Sequence, residues 1–334
     1  MCISFFVLAL LLMKEGAKPM ETLIRGVFSV NSTASALGFG WLGASFALSG
    51  SPVAATALSL LDAKVLNRPE TFAMLAGSRL GAAFMVLLLG FIYTIRGKER
   101  QVSLGVGLIS LLVTQTFYPV VLLIGLKILS FEWFLPFQAP NQEINTIFEQ
   151  LLTPVMRIFI THFPPGAMLA GGFLLALFSL WLFDRVIPDL NLKDTNLGLV
   201  AHLLYRPGVV FLMGGLVTAF TMSVSVSLGL LVPLSVRGFV RQENLIPYIM
   251  GANITTFIDT LIAAILLGNP MAIKVVLIQM LSVALISLVI LSTNFRLYER
   301  LIQNMAIQIN KRSINLLVYI LLILGLPFGL LWLG

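Results

Sequence analysis

Two stretches of this chain match each other at a constant offset of 174 residues. Gly40, Leu42, Phe46, Ser49, Ser51, Leu60, Gly77 and Leu87 recur without a gap as Gly214, Leu216, Phe220, Ser223, Ser225, Leu234, Gly251 and Leu261. Both copies are apolar. In each, a Ser-x-Ser pair is followed, 28 residues after its first serine, by a glycine inside a hydrophobic run. A duplicated polar interruption in an apolar chain marks a membrane transporter built from repeats, with its site where the repeats meet.

Composition agrees with a membrane setting. Of 334 residues, 58% are hydrophobic and 10% charged, where a soluble domain carries roughly 25% charge. Mean hydropathy is +1.00. The net charge of +7 does not indicate nucleic acid, because the basic residues sit mostly in loops, where cytoplasmic loops and anionic lipid headgroups attract them. The expected location is a cell membrane (plasma or bacterial inner membrane), crossed several times. A single cysteine, Cys2, excludes an intrachain disulfide. The first residues lack the basic region and cleavage pattern of a signal peptide.

Run lengths and breakers divide the chain. An apolar run at 2–13 is shorter than the roughly 20 residues a span needs. Its counterpart at 166–183 places the expected start before Met1, so a late start codon or a fragment is expected; the alternative is a short, tilted helix. Interrupted stretches follow at 28–62, broken at Gly50 and Pro52, and at 208–236. Full spans are expected at 69–95, 103–129, 166–183, 244–268, 271–293 and 314–333. Residues 141–163 are amphipathic, with Ile144, Ile147, Phe148, Leu151, Leu152, Val155, Ile158 and Phe159 on one stripe, and with 294–312 are expected to lie in the interface. Residues 186–207 form a polar linker.

The fold expected is an all-α polytopic membrane protein with two inverted-topology repeats, each a re-entrant helical hairpin followed by a transmembrane helix. Non-helical backbone survives at membrane depth only where protein or a watery cavity satisfies it. The divisions are 1–97, first repeat; 98–165, connecting span and interfacial helix; 166–268, second repeat; and 269–334, C-terminal spans. The loops at 95–102, 184–243 and 294–313 hold twelve Lys or Arg, against six in 14–68 and 130–165. The richer side is expected to be cytoplasmic.

Ser49, Ser51, Ser223 and Ser225 lead the candidate site. A hydroxyl beside a broken helix can ligate a cation or donate to an anion, and the freed amides of a half-helix N-terminus favour an anion. Thr218, Thr221 and Ser45 could join them. The plainer reading is that small residues let membrane helices pack closely. Gly251-Ala252-Asn253-Ile254-Thr255-Thr256 supplies close backbone approach, one amide and two hydroxyls in mid-span. Its counterpart is Gly77-Ser78-Arg79-Leu80-Gly81, with Arg79 where Asn253 stands. Arg79 lies roughly 15 Å deep, where an arginine is functional or paired. Asp259 lies at comparable depth, and the two are expected to approach each other. Arg79 then binds an anionic substrate, replaces a coupling cation, or forms a structural ion pair. His162 and His202 have no partner at metal-ligand spacing, and the many Phe and Met are packing or lipid-facing residues. No hydrolase, zinc-protease or phosphate-loop motif occurs, and serines without a nearby base argue against an enzyme.

At these residues the chain resembles the type II sodium–phosphate cotransporter family of bacteria and animals. That family carries two inverted repeats, each with a Gln-Ser-Ser-Ser-like motif after a Thr-Ala step and then a Gly-Ala-Asn-Ile-Gly-Thr-Thr motif. Thr218-Ala219-Phe220-Thr221-Met222-Ser223-Val224-Ser225 resembles the second hairpin motif, and Gly251 to Thr256 the motif after it. Leu48-Ser49-Gly50-Ser51 and Gly77 to Gly81 resemble the first pair. The opening Phe6 to Gly16 is similar to the family's first helix and its exit. The chain departs from the pattern at Leu48 and Met222 for glutamine, at Gly50 and Val224 for the middle serine, at Arg79 for asparagine, and at Ala82 and Ala83 for threonines.

The resemblance implies a secondary transporter moving phosphate or a related anion by alternating access, with sodium as the coupling ion held by Ser223, Ser225 and Thr256, and no other cofactor or metal. Ser49, Ser51, Arg79, Thr218, Ser223, Ser225, Asn253, Thr255, Thr256 and Asp259 would line the site. Expected partners are a small inorganic or organic anion, membrane lipid and a second copy of the chain. The alternatives are a sodium-independent anion transporter using Arg79 as fixed charge, a channel, and a non-transporting scaffold or sensor that keeps the fold.

Overall fold

The computed structural model describes residues 2–26, 28–131, 154–186, 206–236, 240 and 242–333. Among them the chain is helical with short connections and no strand. Six segments are long and apolar enough to cross a membrane: Arg68–Ile95, Arg100–Leu129, Pro165–Leu182, Asn244–Leu266, Pro270–Thr293 and Ser313–Leu331. The protein is a helical, multi-pass membrane protein. Helices suit that setting because each satisfies its own backbone polar groups away from water.

In chain order the helices are α1 (Cys2–Ala17), α2 (Glu21–Gly26), α3 (Thr33–Ala47), α4 (Ser51–Asp62), α5 (Arg68–Ala82), α6 (Phe84–Ile95) and α7 (Arg100–Leu129). A helix at 154–162, α8, follows. Then come α9 (Pro165–Val186), α10 (Pro207–Thr221), α11 (Val224–Gly229), α12 (Leu231–Val236), α13 (Gln242–Thr255), α14 (Ile258–Leu266), α15 (Pro270–Thr293), α16 (Phe295–Lys311) and α17 (Ser313–Leu331). Most of the amphipathic stretch at 141–163, and nearly all of the 186–207 linker with His202, lie outside the described residues.

The 174-residue offset reappears as geometry. Added to the bounds of α3, it gives the bounds of α10. Both helices end on a residue in left-handed conformation, Leu48 at φ 52° and Met222 at φ 49°. Then α3 packs along α5, and α10 along α13. Gly40 faces the Met74 carbonyl as Gly214 faces that of Tyr248, and Gly77 faces the Leu37 carbonyl as Gly251 faces that of Phe211. Each of these pairs is again related by the offset. Contacts between the copies also exchange: α4 of the first touches α14 of the second, and α11 of the second touches α6 of the first. With little hydrophobic drive between helices in lipid, close approach at small residues is what holds them.

Local chemistry sets the helix bounds, and it corrects several expectations. Pro52 does not break the chain but stands in the first turn of α4, where its missing N–H costs nothing. Asn67 and Glu70 form a reciprocal capping box on α5, and Asn269 caps α15 by accepting from the Met271 and Ala272 amides. The spans expected at 69–95 and 244–268 are each interrupted, at Ala83 and at Thr256-Phe257. Ala83 and Phe257 stand at equivalent positions in the two copies. Helix α1 has 16 residues, about 24 Å at 1.5 Å per residue, still short of the roughly 30 Å hydrocarbon core. It packs against α9, with Ala9 and Met13 against Gly172 and the Phe5 ring edge-on to Phe178.

Two basic residues in the poorer loop set are neutralised in place. Lys14 Nζ lies 2.8 Å from Asp62 Oδ2, and Arg25 pairs with Glu21 at 3.4 Å and with Glu70 at 3.3 Å.

Leu48 and Met222 hold a conformation that costs a side-chain-bearing residue about 1–2 kcal/mol and glycine little. Leu48→Gly and Met222→Gly are therefore expected each to stabilise the folded protein by up to about 1 kcal/mol. Thermal melts in detergent would read the change, and glycine lowering the melting temperature at both positions would show that the strain is absent.

Candidate anion site

The two interruptions at Ala83 and Phe257 organise the site. Arg79 lies in the last turn of α5, just before the first. Asp259 lies in the first turn of α14, just after the second. Arg79 and Asp259 are about 95% buried. Arg79 Nη1 donates to Thr256 Oγ1 at 2.9 Å, and Nη2 to Thr260 Oγ1 at 2.8 Å. Thr260 Oγ1 in turn donates to Asp259 Oδ1 at 2.9 Å, and the Thr260 amide donates to the same oxygen. Arg79 and Asp259 are therefore joined mainly through a hydroxyl; their direct separation is 3.7 Å. The Phe257 ring covers the guanidinium at 4.4 Å, a favourable cation–π position.

The first helix break also reaches this charge. A Cβ added to Gly50 would lie 3.3 Å from Arg79 Nη1 and 2.8 Å from the Ser78 carbonyl oxygen. Gly50 is the N-cap of α4 and supplies no side-chain cap. Ser49 and Ser51 flank it, both half-buried. The guanidinium thus sits beside the positive end of a helix dipole, and both fields attract an anion.

The cluster is incompletely satisfied. Arg79 Nε and Asp259 Oδ2 are buried without hydrogen-bond partners, as is Asn253 Nδ2, the counterpart of Arg79 in the second copy. An ion pair near 4 Å gains about 4 kcal/mol at an effective dielectric constant of 20. Removing two ions from water costs several kcal/mol each. Attraction and desolvation are thus of similar size, and the pair by itself adds little to stability.

The other candidates divide. Thr256 and Asp259 join Arg79, and Gly50, between Ser49 and Ser51, lies beside it. Thr218 and Thr255 commit their hydroxyls within the second copy. Thr218 Oγ1 donates to Ser227 Oγ at 2.6 Å, which bonds Tyr248 Oη at 3.0 Å, and Thr255 Oγ1 donates to the Gly215 carbonyl at 2.8 Å. These bonds tie α10 to α11 and α13. Thr221 Oγ1 donates to the Ser223 carbonyl at 3.2 Å, and Ser45 Oγ to that of Trp41 at 2.9 Å. Ser223 is half-buried, and the side chain of Ser225 lies outside the described residues. His162 stays with its own helix, its Nδ1 2.9 Å from the Ile158 carbonyl.

Sequence reasoning missed two residues that touch Arg79, Thr260 and Phe257, and two buried unpartnered polar groups, Tyr118 and Gln279. Thr260 stands one residue beyond the nominated Asp259, and Phe257 follows the nominated threonines. Tyr118 of α7 is fully buried with its hydroxyl unpartnered. Gln279, on α15, is fully buried with both amide atoms unpartnered. A lone glutamine within a 24-residue apolar helix was a usable signal. Among the described residues no cluster of His, Cys, Asp and Glu could hold a metal ion. In comparisons with known proteins, no family model, curated protein or solved structure matches the chain.

Proposed function

We propose that the protein is a secondary transporter for phosphate or a related small oxyanion, of the type II sodium–phosphate cotransporter kind. Two inverted repeats would place two re-entrant tips at a midplane site in the cell membrane, and alternating access would expose that site to each side in turn. The observation that carries this reading is Arg79: a buried guanidinium at a helix N-terminus, with an unpartnered N–H and, among the described residues, one carboxylate within 4 Å. The paired helix breaks and the contacts that exchange between the copies support a two-fold arrangement around it.

Coupling has two versions. In the first, sodium binds at Ser223, Ser225 and Thr256. In the second, Arg79 is the permanent cation and transport is sodium-independent. Thr256 favours the second, because its Oγ1 already accepts from Arg79 Nη1 at 2.9 Å, and a sodium ion there would meet a like charge.

The test is radiolabelled phosphate uptake into proteoliposomes, with an inward sodium gradient and with potassium alone. Equal, saturable uptake that supports counterflow is expected. Strong sodium stimulation would restore the coupled version. No uptake of phosphate, sulfate or small carboxylates by a folded protein would leave a scaffold or sensor.

A further inference from the structure

A second polar feature lies away from Arg79. A cavity of about 830 Å³ is lined by Glu99, Arg100 and Gln101 at the start of α7, Gln242 at the start of α13, and Asn310 and Lys311 at the end of α16. These residues come from the three loop segments of the more basic side, and the structure brings them together. Gln242 Nε2 donates to the Gln101 carbonyl at 3.4 Å, and Asn310 Nδ2 to that of Arg100 at 3.4 Å. Arg100 itself bonds only neutral groups among the described residues, the Asn310 amide oxygen at 3.4 Å and the Ser313 hydroxyl at 3.1 Å. Arg100 also lines a second, apolar cavity of about 290 Å³ between α6, α7 and α17, whose walls include Phe91, Leu104, Leu316 and Ile320.

We infer that the two cavities together hold one anionic phospholipid, its headgroup phosphate between Arg100 and Lys311 and an acyl chain along the groove beyond Arg100. Charge supports this occupant. Among the described lining residues two cations face one carboxylate, leaving one net positive charge for the single negative charge of a phosphodiester. The α7 dipole adds to it. The surroundings support a lipid rather than a soluble anion. Leu297, Leu301 and Met305 of α16 are exposed on one stripe, as are Leu317 and Leu321 of α17. A helix with such a stripe and a charged opposite face lies in the plane of the membrane interface, so the polar cavity opens at headgroup depth and the apolar groove runs into the acyl region. A free phosphate would use the first cavity and leave the second empty.

The test uses the intact, delipidated protein in detergent. Phosphatidylglycerol, phosphatidylcholine with the same chains, and soluble glycerol 3-phosphate are compared by melting temperature and by bound lipid in native mass spectrometry. Phosphatidylglycerol is expected to raise the melting temperature and to be retained at one per protein, with neither other probe doing so. Replacing Arg100→Gln and Lys311→Gln together removes the charged donors, and phosphatidylglycerol binding is expected to weaken about tenfold. If that variant does not fold, Lys311→Glu, at an exposed position, is expected to weaken binding at least as much. Equal shifts with both lipids, a full shift with glycerol 3-phosphate, or unchanged binding in the folded variant would overturn the inference.

Discussion

Replacing Arg79 with methionine is expected to abolish anion transport and destabilise the fold by about 3–5 kcal/mol, the usual penalty for leaving a buried charge unpaired. Asp259 is 5% exposed and Oδ2 already lacks a partner. Without Arg79 its remaining partner among the described residues is Thr260. Combining Arg79→Met with Asp259→Asn removes both charges. Because exchanging a buried ion pair for neutral groups is often neutral or stabilising, the double variant is expected to recover most of the lost stability yet stay inactive. Thermal melts and proteoliposome uptake read the two quantities separately. A double variant that melts normally and still transports would reduce Arg79 to a structural role.

The second large effect is expected at Gly251. A Cβ there would fall on the Phe211 carbonyl oxygen and within 2.9 Å of the Gly215 amide nitrogen. Both are backbone, so α10 and α13 must separate. Overpacking of this kind costs about 1–3 kcal/mol, and more where no flexible side chain can yield. Gly251→Val is expected at or above that range, with loss of folded yield. Gly77→Val should behave alike, since it would meet the Leu37 carbonyl oxygen and, at 2.8 Å, the Trp41 amide nitrogen. Gly171→Val is the control, because nothing lies within 4 Å of its added Cβ. Melting temperatures of the three variants decide the matter; equal losses at Gly251 and Gly171 would show that helix propensity, not close approach, sets the cost.

The sequence carried the duplication into three dimensions because the offset preserves spacing. Gly40 and Gly77, repeated as Gly214 and Gly251, mark where helices touch, and small residues are legible in a sequence. The approach of Arg79 to Asp259 was legible for another reason: two opposite charges at equal depth in apolar spans have few other partners. The helix breaks at Ala83 and Phe257 were not legible, because run lengths register hydropathy and neither residue is a breaker. Nor was the engagement of Thr218 and Thr255, since a hydroxyl in a small-residue motif serves a ligand or a neighbouring carbonyl equally well. Gln242, Asn310 and Arg100 stand far apart in the chain, and only tertiary structure brings them to one cavity.

The buried Arg79 cluster is expected to bind an anion. The direct measurement is equilibrium binding of radiolabelled phosphate to purified protein in sodium-free buffer, for the wild type and for Arg79→Met with Asp259→Asn. Saturable binding is expected for the wild type and none for a double variant of normal melting temperature. Binding retained in that variant, or absent from a wild type that also ignores sulfate and small carboxylates, would contradict this expectation.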